Sequence, residues 1–198
     1  MKIIQEEKMK NDIETLKQYI INKDFEKAKN IINDSNFDLY LYENIKILFI
    51  LSINNNFNYL FDKYLEYFKL NSKQEYLINY GISLSIESSN IYAFENLINN
   101  SNLDDTEVSQ HILSLSCFFG NDIYTNMFNI LIQKYPSFHL FFLTAIIIIV
   151  ESKNYYFFNK LIQHMKNFSE INNNWIETHI TNQKEQENIK KIIKINIF

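Results

Sequence analysis

Residues that break regular structure are scarce in this sequence. Its 198 residues include two glycines and one proline, whereas 46% are hydrophobic and 16% are aromatic. Hairpin-rich β architectures need Gly or Asn-Gly turns at short intervals, so this scarcity favours helices joined by loops of Asn, Ser and Asp. A glycine-rich loop that cradles a phosphate is excluded as well, because Gly81 and Gly120 stand far apart.

Cysteine is almost absent too. Cys117 is the one cysteine of the chain, so it cannot form an internal disulfide, and we predict that it is a small buried hydrophobe. Residues 1–8 contain no long apolar run of the kind found in a secretory signal. Both observations lead us to expect a cytoplasmic protein.

Arginine is missing altogether, and the formal net charge is −4. Without a basic footprint or the bidentate side chain that reads guanine and phosphate, we expect no nucleic-acid binding. The basic residues are all lysines, and together with many Ile and Asn residues they indicate an AT-rich genome. Runs of asparagine are then interpreted as loop drift rather than as a prion-like signal.

A short pattern built around phenylalanine recurs along the chain. Its copies begin at Phe25, Phe61, Phe94, Phe128 and Phe158, at steps of 36, 33, 34 and 30 residues. A period of this length is typical of a solenoid made from one supersecondary unit per repeat. The phenylalanines of the last four copies lie on the apolar faces of predicted helices, so we expect Phe61, Phe94, Phe128 and Phe158 to be core residues rather than a stacking ladder for a ligand. The predicted helices include residues 10–21, 41–53, 74–87, 91–99, 106–119 and 123–135. Phe25, Phe61 and Phe158 lie in further predicted helices.

Two families resemble parts of this pattern. Leu51-Ser52-Ile53, Leu84-Ser85-Ile86 and Leu115-Ser116-Cys117 stand at equivalent places, and residues 90–98 resemble the second-helix half of an ankyrin repeat. This likeness covers about residues 41–168, in roughly four units. Residues 19–28 resemble the middle of one tetratricopeptide repeat. Both resemblances imply antiparallel helix pairs that stack side by side.

The predicted fold is therefore an all-α solenoid of about four to five antiparallel helix pairs in a single domain, residues 1–198. Residues 1–40 form an N-terminal helical pair, residues 41–168 the ankyrin-like repeats, and residues 169–198 a C-terminal cap or tail. Asp105 is predicted to be a helix N-cap and Gly120 to terminate a helix.

Two stretches allow more than one interpretation. The apolar run 137–150 is shorter than a membrane span, so we interpret it as the buried first helix of the last pair. The isoleucines and lysines from 189 to 197 alternate as in an amphipathic helix, which favours a capping helix. A frayed tail and a basic helix that binds a membrane surface or a partner are the alternatives.

The sequence offers no constellation for catalysis. His111, His139, His164 and His179 lie in separate units without metal-ligand spacing, so no metal, cofactor or catalytic residue is predicted. An enzyme with an unrecognised site is the least favoured alternative. The leading prediction is a non-enzymatic scaffold that binds a partner protein, and the alternative is a structural or assembly subunit that self-associates. The oligomeric state is not predicted.

The charge distribution suggests where a partner binds. Seven acidic residues and no lysine lie between Lys73 and Lys134. These acids are either a solvated outer face with helix caps or a surface that steers a basic partner. In the second interpretation the partner-binding residues are those near the ends of the units: Glu87, Asp104, Asp105, Glu107 and Asp122.

Overall fold

The structure, a computed structural model, describes residues 2–34, 39, 42–70, 75–118 and 122–197, with the side chains of residues 2–10, 42, 43, 75 and 197 left aside. Within these ranges the regular secondary structure is helical, which confirms the all-α prediction. The chain divides into two compact units, residues 1–101 and 102–198. The boundary between the units lies inside the predicted segment 41–168.

The described residues of the first unit form three helix pairs. Their bounds are α1 Lys2–Ile21, α2 Phe25–Ile32, α3 Tyr42–Asn54, α4 Asn58–Leu70, α5 Glu75–Glu87 and α6 Ile91–Asn100. Each helix packs on its partner in the pair. In addition α3 packs on both α1 and α5, and α4 packs on α6. The first helices of neighbouring pairs are thus in contact with one another, as are the second helices α4 and α6.

The same turn ends the first helix of each of these pairs. Lys23, Asn56 and Ser89 have φ angles of 56° to 58°, in the left-handed region. Each donates its N–H to the carbonyl three residues earlier, and the next residue donates to the carbonyl five residues earlier, at 2.8 Å in all three turns. These are the two hydrogen bonds of a Schellman motif. The turns stand 33 residues apart, which matches the step of the phenylalanine pattern.

Small residues allow these helices to approach closely. A Cβ atom built on Gly81 would lie 2.9 Å from Cζ of Phe49 and 3.1 Å from Cδ1 of Leu97, so glycine is required where α5 meets α3 and α6. Ser52 and Ser85 are fully buried at equivalent places, and each hydroxyl donates to the carbonyl three residues earlier, at 2.7 and 2.6 Å. Their burial therefore leaves no hydroxyl without a partner.

The repeated phenylalanines lie in the core, as predicted. Phe61, Phe94, Phe128 and Phe158 are at most 1% exposed. Phe25 is only half-buried, and its ring stacks on that of Phe57 at 4.6 Å between centroids. Removing a side chain of this size from water stabilises the folded state by about 1.5 to 3 kcal/mol.

The second unit contains the remaining helices. Their bounds are α7 Asp105–Ser116, α8 Asp122–Lys134, α9 Thr144–Glu151, α10 Tyr155–His164, α11 Asn173–His179 and α12 Gln183–Ile197, with a 3₁₀ turn at Phe168–Glu170. Helix α7 packs on α8 and α9, and α10 packs on α9 and α12. The Schellman turn recurs after α9, where Lys153 has a φ of 58°. Gly120, the predicted helix terminator, lies outside the described residues.

The prediction of one helix over 137–150 is wrong in its first half. Helix α9 begins at Thr144, and residues 137–143 before it form no helix. Phe138 donates its N–H to the carbonyl of His164, at 3.2 Å, and accepts from the N–H of Lys166, at 2.7 Å. The amide of Asn167 accepts from the N–H of Leu140 and donates to its carbonyl, at 3.0 and 3.1 Å. These partners satisfy the backbone groups that a helix would have satisfied internally.

Two local predictions in α7 are also corrected. The N-cap is Asp104, not Asp105: its carboxylate accepts from the N–H of Glu107 at 2.8 Å, and the Glu107 carboxylate accepts from the N–H of Asp104 at 3.0 Å. This reciprocal capping box requires an acid three residues after the cap, a condition that Asp104 meets. Cys117 is exposed rather than buried, because it follows the last residue of α7.

The C-terminal amphipathic helix is present. Ile189 and Ile193 of α12 are buried, and Nδ2 of Asn196 donates to Oδ1 of Asn159 on α10, at 2.9 Å. The isoleucine spacing therefore predicted the helix and its buried face correctly.

Candidate functional site

Of the five acidic residues predicted to bind a partner, one lies in the first unit and four lie in the second. Glu87 is the last residue of α5, and its side chain is exposed. Asp104, Asp105 and Glu107 lie at the start of α7, and Asp122 is the first residue of α8. Acids in the first turn of a helix interact favourably with the positive end of its dipole, so the four predicted residues of the second unit also have a local structural role.

The acids at the start of α7 are joined to neighbouring groups. Asp104 and Glu107 form the capping box described above. Oδ2 of Asp105 lies 3.3 Å from Nζ of Lys166, which neutralises part of its charge. Both side chains of this ion pair are more than a third exposed, so it contributes little to stability. The negative charge at this place is therefore held in a defined geometry and is only partly compensated.

In the first unit Glu87 belongs to an exposed stripe of α5. Tyr76, Tyr80 and Glu87 follow one another at helical spacing on the same side of the helix, with the half-buried Ser83 between them. Tyr76 is 56% exposed and Tyr80 is 43% exposed, although both are large aromatic residues. The opposite side of α5 contains the buried Leu77, Gly81 and Ile82.

The neighbouring helix α3 extends this stripe. Ile47 is 44% exposed, and Nζ of Lys46 lies 5.7 Å from the centre of the Tyr80 ring. We call the surface formed by Lys46, Ile47, Tyr76, Tyr80 and Glu87 the α3–α5 face. Sequence reasoning identified only its Glu87. The signal for the tyrosines was their spacing of four residues on the side of α5 away from its apolar stripe.

The histidines of the second unit lie in different surroundings. His111 is 1% exposed in α7, and burial lowers its pKa to about 4, so the ring is neutral at physiological pH. His164 contacts the carbonyl of Pro136 through Nδ1, at 2.9 Å, and the His179 ring stacks on Trp175. Over the described residues, no group of three or more His, Cys, Asp or Glu side chains could hold a metal ion.

Comparisons of this chain with models of protein families, with curated proteins and with solved structures gave no significant match. The described helices also include none with the length and apolar composition needed to cross a membrane. The α3–α5 face and the acids of the second unit are the features that support a proposal about function.

Proposed function

We propose that this chain is a non-enzymatic scaffold that binds a partner protein with a basic surface. Its helix pairs would form an ankyrin-like solenoid capped by α12, and the α3–α5 face would be a main contact. The recurrence of one Schellman turn at Lys23, Asn56, Ser89 and Lys153 supports a repeated unit. Stacked helix pairs commonly present an extended binding surface, so this part of the proposal rests on architecture.

The exposure of Tyr76 and Tyr80 is the observation that carries the proposal. Tyrosine is enriched at protein interfaces and among the residues that contribute most to affinity. Its ring also attracts a cation, as the position of Lys46 over Tyr80 illustrates. A lysine or arginine of the partner could lie on the Tyr76 ring while another pairs with Glu87.

The acids of the second unit would contribute through their field. Asp104, Asp105, Glu107 and Asp122 lie in a part of the sequence that lacks lysine, between residues 74 and 133. Long-range attraction of this kind raises the rate at which a basic partner associates and weakens as salt is added. We therefore assign these acids to steering and the tyrosines to affinity.

The test compares affinity capture from the native cell by the parent and by a Tyr76→Ala/Tyr80→Ala variant. Both tyrosines are exposed, so the fold should survive, while binding of the partner should fall by at least about tenfold. Tyr156→Ala is the matched control, because Tyr156 is 57% exposed in the second unit and should not affect binding. If the captured partner binds all three proteins equally, the α3–α5 face is not the contact.

A second variant separates steering from affinity. Asp104→Asn, Asp105→Asn and Glu107→Gln remove charge while Asn and Gln preserve the hydrogen bonds of a cap. Association should become slower and less dependent on salt, with the dissociation rate little changed. The self-associating alternative predicts instead that sedimentation finds oligomers which the two tyrosine substitutions dissociate.

A further inference from the structure

A cleft near the C-terminus combines an apolar floor with basic residues at its rim. It lies between the 3₁₀ turn Phe168–Glu170, α11 and α12, and its volume is about 660 Å³. Ile171, Ile176 and Ile193, which are at most 9% exposed, form the floor together with the half-buried Phe168. Clefts of 300 to about 1,000 Å³ with mostly apolar linings are typical of small-molecule sites.

The two lysines at the rim are in different electrostatic situations. Lys190 and Lys194 are one turn apart on α12 and both line the cleft. Nζ of Lys190 lies 2.8 Å from Oε1 of Glu177, so this pair is close to neutral. Glu170, at the other side, accepts from Nδ2 of Asn167 at 3.1 Å. Lys194 is exposed and forms no ion pair with any residue that the structure describes.

One uncompensated positive charge beside an apolar floor defines the chemistry of a matching ligand. The floor takes hydrocarbon, since burying methylene groups is favourable, and Lys194 takes one negative charge at the end of the chain. A ligand with several negative charges would find no second uncompensated cation among these lining residues, because Glu177 already pairs with Lys190. We propose that this cleft binds a long-chain alkyl monocarboxylate, with its chain on Ile171, Ile176 and Ile193 and its carboxylate at Lys194. This site goes beyond the scaffold function and does not depend on it.

The single tryptophan of the chain provides a direct assay. Trp175 lies in α11 and immediately precedes Ile176 of the floor. A brominated long-chain carboxylate bound in the cleft should quench its fluorescence, and unlabelled carboxylates should reverse the quenching. Their affinity should rise about threefold for each added methylene until the cleft is filled.

Substitutions on α12 then test the assignment of Lys194. Lys194→Met keeps the length of the side chain and removes its charge, and it should weaken binding of the carboxylate by about tenfold. The alcohol of the same chain length should bind the parent and this variant equally. Lys191→Met is the matched control, because Lys191 is exposed on the same helix but does not line the cleft. Circular dichroism of both variants checks that α12 is intact.

Three results would overturn the proposal. The first is no quenching by the free brominated carboxylate. The second is an equal loss of affinity in Lys194→Met and Lys191→Met, since general attraction of an anion to a lysine-rich helix would then explain binding. The third is that vesicles of brominated phosphatidylglycerol quench the fluorescence whereas the free brominated carboxylate does not. This result would assign α12 to a membrane surface. None of these results bears on Tyr76 and Tyr80, so the scaffold proposal stands or falls separately.

Discussion

The two units share the buried serine of the repeated pattern, but equivalent positions in them differ in their exposure. Counting from the buried serines Ser52, Ser85 and Ser116, the residue five positions earlier is Ile47, Tyr80 and His111. In the first unit this position is 44% and 43% exposed, and in the second unit it is 1% exposed. Equivalent places in a repeated sequence therefore need not have equivalent surroundings.

The connection between α8 and α9 is the main structural difference. In the first unit the described elements are helices and the short Schellman turns within pairs. In the second unit the non-helical segment before α9 pairs with Met165 through Phe138. The same segment contacts α7, where Oγ of Ser109 accepts from the N–H of Phe141 at 2.9 Å. Backbone that enters no helix must find such partners, and they fix the path of the chain.

Charge placed in the phenylalanine register should give the largest effect in either unit. Phe94→Asp and Phe128→Asp would each bury an uncompensated carboxylate, and we expect each to lose more than about 3 kcal/mol of unfolding free energy. Circular dichroism and urea unfolding measure the loss. Glu95→Ala, at an exposed neighbouring position, should change stability by less than about 0.5 kcal/mol. Parent-like unfolding of both aspartate variants would show that the register is wrong.

Acid should weaken the second unit through His111. Burial lowers the pKa of this residue to about 4 in the folded chain, against an ordinary value of 6.5, so between these values the unfolded chain binds a proton that the folded chain does not. Full stability is present above pH 6.5 and falls as the pH drops towards about 4, by up to about 3 kcal/mol.

Urea unfolding across this range should therefore show a steeper decline for the parent than for His111→Leu. Carboxylates titrate in both proteins, so the difference between the two curves isolates the imidazole. Parallel curves between pH 6.5 and about 5 would mean that the His111 ring is accessible to protons in the folded state.

The smallest expected effect is the difference between the stability losses caused by substituting two N-cap asparagines. Asn90 is 4% exposed; its Oδ1 accepts from the N–H of Ala93 at 3.0 Å, and its Nδ2 donates to the carbonyl of Ile53 in the preceding pair, at 2.9 Å. Asn154 is half-buried and accepts from the N–H of Phe157, at 3.1 Å. Asn90→Ala should cost about 2 kcal/mol, because a cap is lost and the Ile53 carbonyl keeps only the N–H of Asn56 as a donor, against about 1 kcal/mol for Asn154→Ala.

Thermal or urea unfolding of the two variants gives the comparison directly. Equal losses would indicate that the bond from Asn90 to Ile53 makes no net contribution to stability.

Periodicity alone predicted the helices and much of the core. The positions of Phe61, Phe94, Phe128 and Phe158 set the register correctly, because burial of large side chains decides which face of a helix points inward. The apolar run before Thr144 misled the prediction, since continuous hydrophobicity is compatible with a helix and with extended chain alike. The choice depended on Asn167, more than twenty residues away, whose amide pairs with Leu140.

The candidate surface was predicted less well than the core. The acids could be located from charge. Asp104 and Asp105 are adjacent, however, and only the hydrogen bonds with the backbone show which of them caps α7. Tyr76 and Tyr80 were missed because the candidate surface was chosen from charge alone. Their spacing placed them away from the apolar stripe of α5, but their exposure depends also on the neighbouring helices.

The left-handed turns restrict how this sequence can vary. Lys23, Asn56, Ser89 and Lys153 occupy a conformation that costs most residues roughly 1 kcal/mol and costs glycine almost nothing. None of these four positions therefore holds the residue that would stabilise the fold most. Replacing any one of them with glycine should increase the stability of the protein. β-Branched residues such as isoleucine, which is abundant elsewhere in the chain, are the ones that mutation cannot introduce there without a loss of stability.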